Sequence, residues 1–466
     1  MRRAAAVDVD RRPGKRVRLW AEPAAAVEHI ATNVPVECGG FYDPSRYWRQ
    51  HPAIYAPAPA IYAAPHYYQT IASTYTEPQD FPRRIHAGMV TAAALQVPNP
   101  VTGHLNVVVP PQACHEDDKD GHFVFELGEN ITPRYKIIGK MGEGTFGRVL
   151  ECWDRDTQEY VAIKLIRNVQ KYRDAAMIEI DVLNELARYD RNGSRRCVQL
   201  KRWFDFRNHI CMVFEKLGPS LYDFLRKNEY RPYAIDLVRE FGRQLLESVA
   251  YMHDLTLIHT DLKPENILLV SPDHVKVPDF KGLYQRSGPG RCYVRVPRTS
   301  EIKLIDFGSA TFNSHYHCSV ISTRHYRAPE VILGLGWSYS CDIWSIGCIL
   351  VELCSGSTLF QTHENLEHLA MMERIIGPLP AHMIEKADRR AEKYFKNKVE
   401  LNWPEGAVSR ESVRAVRKLP RLRNMILQHV DQYPNVLLDL LQGLLRYEPT
   451  ERLSAKQALS HPFFWH

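Results

Sequence analysis

The sequence predicts an α+β fold in two lobes, a small one built mainly of strands and a larger one built mainly of helices. Three observations carry this. In DDKDGHFVFELGENITPRYKIIGKMGEGTFGRVLECWD and again in YVAIKLI, apolar residues alternate around a glycine cluster, which is the pattern of strand, tight loop and strand. From Ala175, AAMIEIDVLNELARY changes to helical spacing. After about Leu221, long amphipathic stretches such as IDLVREFGRQLLESVAYMHD and PNVLLDLLQGLLRYEP take over.

The chain has 466 residues, and at roughly 100–200 residues per domain it has room for several domains or for one large bilobal enzyme with a tail. With 60 Lys and Arg against 54 Asp and Glu, the net charge is only +6. An apolar fraction of 45% with 24% charged residues excludes fibrous and globally disordered classes. No apolar run approaches the ~18 residues that span a bilayer, and the N-terminus MRRAAAVDVDRRPGKRVRLW lacks an apolar segment, so a soluble, unsecreted protein without membrane contact is expected. Ten cysteines without CxxC spacing read as reduced, mostly buried thiols. Residues 1–115, with tracts such as HPAIYAPAPAIYAAPHYYQT, show no period and read as a disordered tail. No internal repeat is present, and the chain ends in PFFWH with no further C-terminal domain expected.

The motifs follow in chain order. Gly142, Gly144 and Gly147 form GEGTFG, a spacing shared with dinucleotide sites. Such a site needs a helix opening at the third glycine, whereas Arg148 to Trp153 continues as a β-rich run. The loop is therefore read as a flap between strands, whose N–H groups can approach phosphate oxygens while Val149 covers a base; the alternative is a plain glycine-rich hairpin. Lys164, inside a β-run, can meet anionic phosphates. Glu179 lies among Ile178, Ile180 and Leu183 and can face inward only if paired, with Lys164 the obvious partner; otherwise it is a surface carboxylate. The strongest signal is IHTDLKPEN, residues 258–266, followed by the apolar strand Ile267, Leu268, Leu269. Asp261 can orient a hydroxyl and accept its proton, Lys263 can steady a transferred phosphate, and the amide oxygen of Asn266 can ligate a hard cation. Asp306, in LIDFG, ends another apolar strand with a carboxylate suited to Mg²⁺.

Taken together with Ala328-Pro329-Glu330, these residues resemble the eukaryotic protein-kinase signature, over residues 135 to 464, with 116–134 as an N-terminal extension. The resemblance implies a bilobal kinase fold with ATP and Mg²⁺ in the cleft. Asp261 would be the catalytic base, assisted by Lys263. Lys164 would anchor the α- and β-phosphates and pair with Glu179. Asn266 and Asp306 would hold the metals, and Glu330 would pair with Arg452. The nucleotide would be enclosed by Met141, Gly142, Glu143, Gly144, Thr145, Phe146 and Gly147 of the loop. Val149, Ala162 and Leu268 would flank the base, with Phe214 behind it, Glu215 to Leu217 as the hinge and Asp223 near the ribose. EHLAMMERIIGP, residues 367–378, narrows the resemblance to a plant member of the LAMMER, or CDC2-like, dual-specificity kinases, supported by Ser322 to Arg327 and by EDDKDGHFVFELGENITPRYK. That resemblance implies phosphorylation of Ser and Thr in arginine/serine-rich splicing factors, tyrosine autophosphorylation, and regulation of pre-mRNA splicing. The LAMMER residues themselves read as a packed helix.

Other features qualify this reading. Thr260 replaces the arginine that usually precedes the catalytic Asp, so activity without loop phosphorylation is expected. About residues 270–300 form a basic, turn-rich insertion carrying Lys276, Lys281, Arg286, Arg291, Arg295 and Arg298, similar to this family's extra hairpin and read as a solvated hairpin in preference to a docking or RNA contact. His315, Tyr316, His317 and Cys318 lack ligand spacing for zinc and read as loop residues. Glu265 and Asp223 are candidates to receive substrate arginines, though each also has a possible nucleotide role. Basic residues 11–18 read as a nuclear import signal, as a patch for acidic partners or as a solvated run; with the family resemblance added, nuclear import is favoured, placing the protein in the nucleus, with the cytoplasm as a second location. The rivals are a catalytically silent scaffold, which the complete set of reactive residues disfavours, and a nucleic-acid binder, for which no motif is present. A monomer without direct nucleic-acid contact is expected.

Overall fold

The computed structural model describes residues 116–278, 293–315 and 318–465. The tail and its basic run, Lys281, Arg286, Arg291, Tyr316 and His317 lie outside them.

The first lobe is a five-stranded antiparallel sheet in the order β1-β2-β3-β5-β4, formed by β1 (Tyr135–Gly144), β2 (Gly147–Asp154), β3 (Glu159–Ile166), β4 (Leu200–Phe206) and β5 (His209–Glu215). Alternation decides which way each strand faces. Val161, Ile163 and Leu165 of β3 join Ile137, Leu150 and Val213 in one core. On the other face of β3, Ala162 and Lys164 are left to the cleft. Residues 116–134 are part of this lobe, with Phe123 and Ile131 buried in the same core. Helix α1 (Gln170–Tyr189) packs its Ala176, Ile180, Leu183 and Leu186 stripe into the larger core.

The second lobe is built around α5 (Ser340–Ser355), in which every residue from Cys341 onward is buried. A helix apolar on nearly all sides has no solvent face, and each large side chain buried in this way contributes roughly 1.5–3 kcal/mol. Before it come α2 (Leu221–Lys227), α3 (Ile235–Asp254) and α4 (Pro329–Leu333). The helix expected at LAMMER is α6 (Asn365–Ile375), with His368, Leu369, Met371 and Met372 buried, so it is a packing element.

Short sheets shape the floor of the cleft. β6 (Leu257–Ile258) pairs with β11 (Thr311–Phe312), and β7 (Ile267–Leu269) with β10 (Ile302–Leu304). The basic insertion forms a hairpin of β8 (His274–Pro278) and β9 (Tyr293–Pro297), tied to the lobe where Asn228 Nδ2 donates to the Arg295 carbonyl at 2.8 Å. Glu330 and Arg452, both with fully buried side chains, form a two-pronged ion pair at 2.7 and 2.9 Å. The remaining guanidinium donors reach the carbonyls of Ser340, Tyr447 and Arg446. Of the seven described cysteines all are unpaired and six are buried, and no described helix is long and apolar enough to cross a membrane.

Candidate active site

The glycine cluster is a hairpin, not the start of a helix. Gly144 faces Gly147 in the β1-β2 ladder, leaving Thr145 and Phe146 as a two-residue tip. At Gly147 an added Cβ would fall 2.0 Å from the Leu165 carbonyl oxygen, so only glycine permits this approach to β3. At Gly142 and Gly144 nothing lies within 4 Å of such a Cβ, and the space beside that backbone is open. Met141 is exposed on the same strand, and Phe146 rests edge-on against Tyr172. Glu143 is turned away to Lys140 and Arg148, at 2.5 and 2.8 Å, which hold its carboxyl down to about 2.

Register then stacks the cleft. Val149 lies opposite Lys164, and Ala162 opposite Phe214. Beyond Phe214, Glu215 and Leu217 link the lobes, and the Gly218 amide donates to the Leu269 carbonyl at 2.8 Å, bringing the β7 strand of Leu268 beneath the linker. Asp223, in the first turn of α2, is held by Ser220 Oγ and Arg226, both at 2.9 Å.

Lys164 Nζ donates to both oxygens of Glu179, at 2.8 and 2.9 Å, and to Asp306 Oδ1 at 3.2 Å. Burial works to lower this ammonium, yet the two carboxylates outweigh it and hold the lysine above its ordinary value. Burial likewise pushes the Glu179 carboxyl up, opposed by Lys164. Asp306 is held low, first by Lys164. Its φ of 65° bends the chain so that the carboxylate points back at the lysine, and Gly308 admits Glu179 because a Cβ there would sit 3.2 Å from Glu179 Oε2.

Asp261 is gripped at both oxygens. Oδ1 accepts from the Thr323 amide at 2.9 Å and the Thr323 hydroxyl at 2.7 Å, and Oδ2 from Lys263 at 2.6 Å. Burial raises this carboxyl, but Lys263 and Thr323 prevail and keep it below its usual range. Asn266 Nδ2 donates to the Asp261 carbonyl at 2.9 Å, and the Ile305 amide donates to the Asn266 carbonyl at 3.0 Å, so Asn266 and Asp306 adjoin. Glu265, exposed at the cleft floor, is raised by desolvation and by repulsion from Asp261 and Asp223.

Three residues of this site were not singled out by motif. Thr323 positions Asp261. Asp342 accepts from the backbone amides of His259 and Thr260, each at 2.9 Å, and from His253 at 3.0 Å. Glu352 accepts from the Tyr326 hydroxyl at 2.7 Å and from Thr358 at 3.2 Å, and burial pushes it up to about 7. An Asp and a Glu inside the otherwise apolar SCDIWSIGCILVEL were the available signal, since such groups enter an interior only with partners.

The protein kinase domain family matches residues 135–464. The chain belongs to the protein kinase family. This kinase is 69% identical over 348 residues to the serine/threonine-protein kinase AFC1 of Arabidopsis thaliana, covering 75% of this chain and 74% of that relative. It is 46% identical over 350 residues to the dual specificity protein kinase CLK4 of Homo sapiens, covering 75% and 70%. A crystal structure of a kinase domain, 40% identical, matches with a TM-score of 0.67 over 74% of this kinase and 100% of that chain. The kinase is thus a plant-type LAMMER, or CDC2-like, dual-specificity enzyme acting on protein substrates.

Proposed function

We propose that the kinase transfers the γ-phosphate of Mg·ATP to serine and threonine in arginine/serine-rich splicing factors, regulating pre-mRNA splicing in the nucleus. The observation that carries the chemistry is the convergence of Lys164, Glu179, Asp261, Asn266 and Asp306 in one cleft. Asp306 Oδ2 and Asn266 Oδ1 have no hydrogen-bond partner among the described residues, and two hard oxygens suit Mg²⁺, which usually takes few protein ligands and shares phosphate oxygens. Bound there, the ion would neutralise charge on the phosphates. Lys164, fixed by Glu179, presents its ammonium to the phosphates. The glycine hairpin offers backbone N–H groups from above. Asp261 is ionised at neutral pH and held at both oxygens, so its task is to aim the substrate hydroxyl in line with the phosphate and to take the proton as the oxygen's bond forms. Lys263, beside it, faces the transferred group.

Substrate choice is supported by the charge of the floor: Glu265 and Asp223 repel one another beside Asp261, a field that an arginine side chain relieves. Arg226 on Asp223 is an exposed pair, worth at most about 1 kcal/mol, and exchanges readily for a substrate guanidinium. The nuclear assignment is supported by the basic run at residues 11–18. The test is transfer of labelled phosphate to an Arg-Ser repeat peptide beside its Lys-Ser analogue and the Asp261→Ala variant. Transfer that needs Asp261 and favours arginine is expected. Equal use of both peptides would remove the proposed role of Glu265 and Asp223, and no transfer by folded, ATP-binding protein would favour the scaffold reading.

A further inference from the structure

The stretch EDDKDGHF lies ahead of the residues that match the kinase domain, yet two arginines connect it to the glycine hairpin. Arg148, the residue after Gly147, has all its guanidinium nitrogens engaged. Its Nε donates to Glu143 of the hairpin at 2.8 Å, its Nη2 to Asp118 at 2.9 Å and its Nη1 to the Phe123 carbonyl at 2.7 Å. Arg167, just past β3, donates from Nε to the Asp120 carbonyl at 2.6 Å and from Nη1 to the carbonyl of Thr145, at the hairpin tip, at 3.2 Å. Its amide donates to the Phe146 carbonyl at 2.9 Å. Each guanidinium therefore holds the upstream segment with one edge and the hairpin with another.

The upstream segment is itself made rigid and anchored. Asp118 Oδ1 accepts from the amides of Asp120 and His122, and the Gly121 amide donates to the Asp118 carbonyl, closing a tight turn. Gly121, with φ of 77°, brings its carbonyl to the Asn168 amide at 2.8 Å. Asp117 is bound by Asn168 Nδ2 and by the buried His209 ring, both at 3.0 Å, while the other ring nitrogen of His209 meets the Ile166 carbonyl. This turn is fastened to the strand ends, and the hairpin is fastened to the turn.

We propose that residues 117–123 are a strap that sets the position of the glycine hairpin over the nucleotide, with Asp118, Arg148 and Arg167 as positioning residues. Beside Gly142 and Gly144 the space is open, and on the first strand and at the tip the side-chain contacts from outside the hairpin's own pairing with β3 include those of the two arginines. With the strap engaged, its amides are held near where phosphates bind, and the ordering cost is met before ATP arrives. The inference rests on reading the hairpin as the cover of the nucleotide.

Asp118→Asn in the full chain separates the strap from the fold. Its Oδ1 still caps the turn, but the amide nitrogen that replaces Oδ2 cannot accept from Arg148. The expected result is a KM for ATP raised about threefold to tenfold, the value of one ordinary hydrogen bond in a partly exposed pair, with KM for the peptide unchanged. Amide hydrogen exchange should rise at residues 142–147 and stay as in the unsubstituted kinase along β3 and β5. Arg167→Gln should act the same way, and combining the two should add to the effect on ATP alone. Unchanged exchange at residues 142–147, or a rise spread evenly through the first lobe, would overturn the strap. The exchange readout needs no nucleotide, so it stands even if ATP binding by the unsubstituted kinase fails, which would refute the reading of the hairpin instead.

Discussion

Glu352 should make the kinase lose stability as pH rises through neutrality, and Glu352→Gln should remove that loss. Glu352 is only 4% exposed, its carboxyl receives hydroxyls from Tyr326 and Thr358, and it meets no cation among the described residues. Burial raises it from 4.5 to about 7. Below the lower value both folded and unfolded chains carry the proton. Between the two values only the folded chain keeps it, so stability falls as pH rises, and above about 7 the loss is complete. At ~1.4 kcal/mol for each tenfold change in proton affinity, the full penalty is roughly 3 kcal/mol, of which roughly 2.5 develops between pH 5 and pH 8. Glutamine has nearly the same shape, can accept from Tyr326 and can donate to Thr358, and it does not ionise. All other titrating groups are shared, so subtraction isolates this one. Urea midpoints for both proteins from pH 5 to 8 give the comparison. The variant should gain on the unsubstituted kinase by ~2–3 kcal/mol across the range. Parallel curves would refute the reasoning, because they would mean that Glu352 ionises as easily folded as unfolded.

Two more outcomes are expected. Glu330→Gln strips the counter-charge from a guanidinium that cannot release its proton and should cost ~3–5 kcal/mol in urea unfolding, whereas replacing both partners by well-packed apolar residues should recover most of it. Activity should survive complete phosphatase treatment within about twofold, because the position where an arginine would hold a loop phosphate is Thr260, already bound to Asp342, Ser309 and Ser322. Loss of activity that returns on rephosphorylation would count against it.

What could be read in the sequence was what short-range periodicity controls. Alternation in β3 turned Lys164 to one face, and Glu179, set among Ile178, Ile180 and Leu183, was expected to face inward only if paired with that lysine and otherwise to lie at the surface; the structure has the pair. The hairpin at Gly147 followed from the β-rich run behind it. Glu143 was grouped with the nucleotide, and the structure shows its carboxylate spent on Lys140 and Arg148, a choice set by cross-strand register that no motif encodes. The roles of Thr323 and Asp342 were hidden for a similar reason: they meet the catalytic loop from 62 and 82 positions away, a separation that no local pattern reports. The strap was visible as a family segment but not as a link, since guanidinium contacts to carbonyls leave no pattern in the sequence.

Asp342 ties the assembly of the site to the order in which the protein is made. Every group expected to touch phosphate, metal or hydroxyl lies between Gly142 and Asp306, so a ribosome that has released residue 310 has already delivered the complete chemistry. The backbone of His259 and Thr260, however, closes onto Asp342, and Thr260 is held at φ 68°, a conformation that a β-branched residue does not keep unaided. Thr323, which fixes Asp261, also emerges later. A nascent chain therefore carries its reactive set unassembled until α5 has been synthesised and has folded into the second lobe. A product ending between residue 310 and Thr323 would carry these reactive groups without the contacts that hold His259, Thr260 and Asp261 in place.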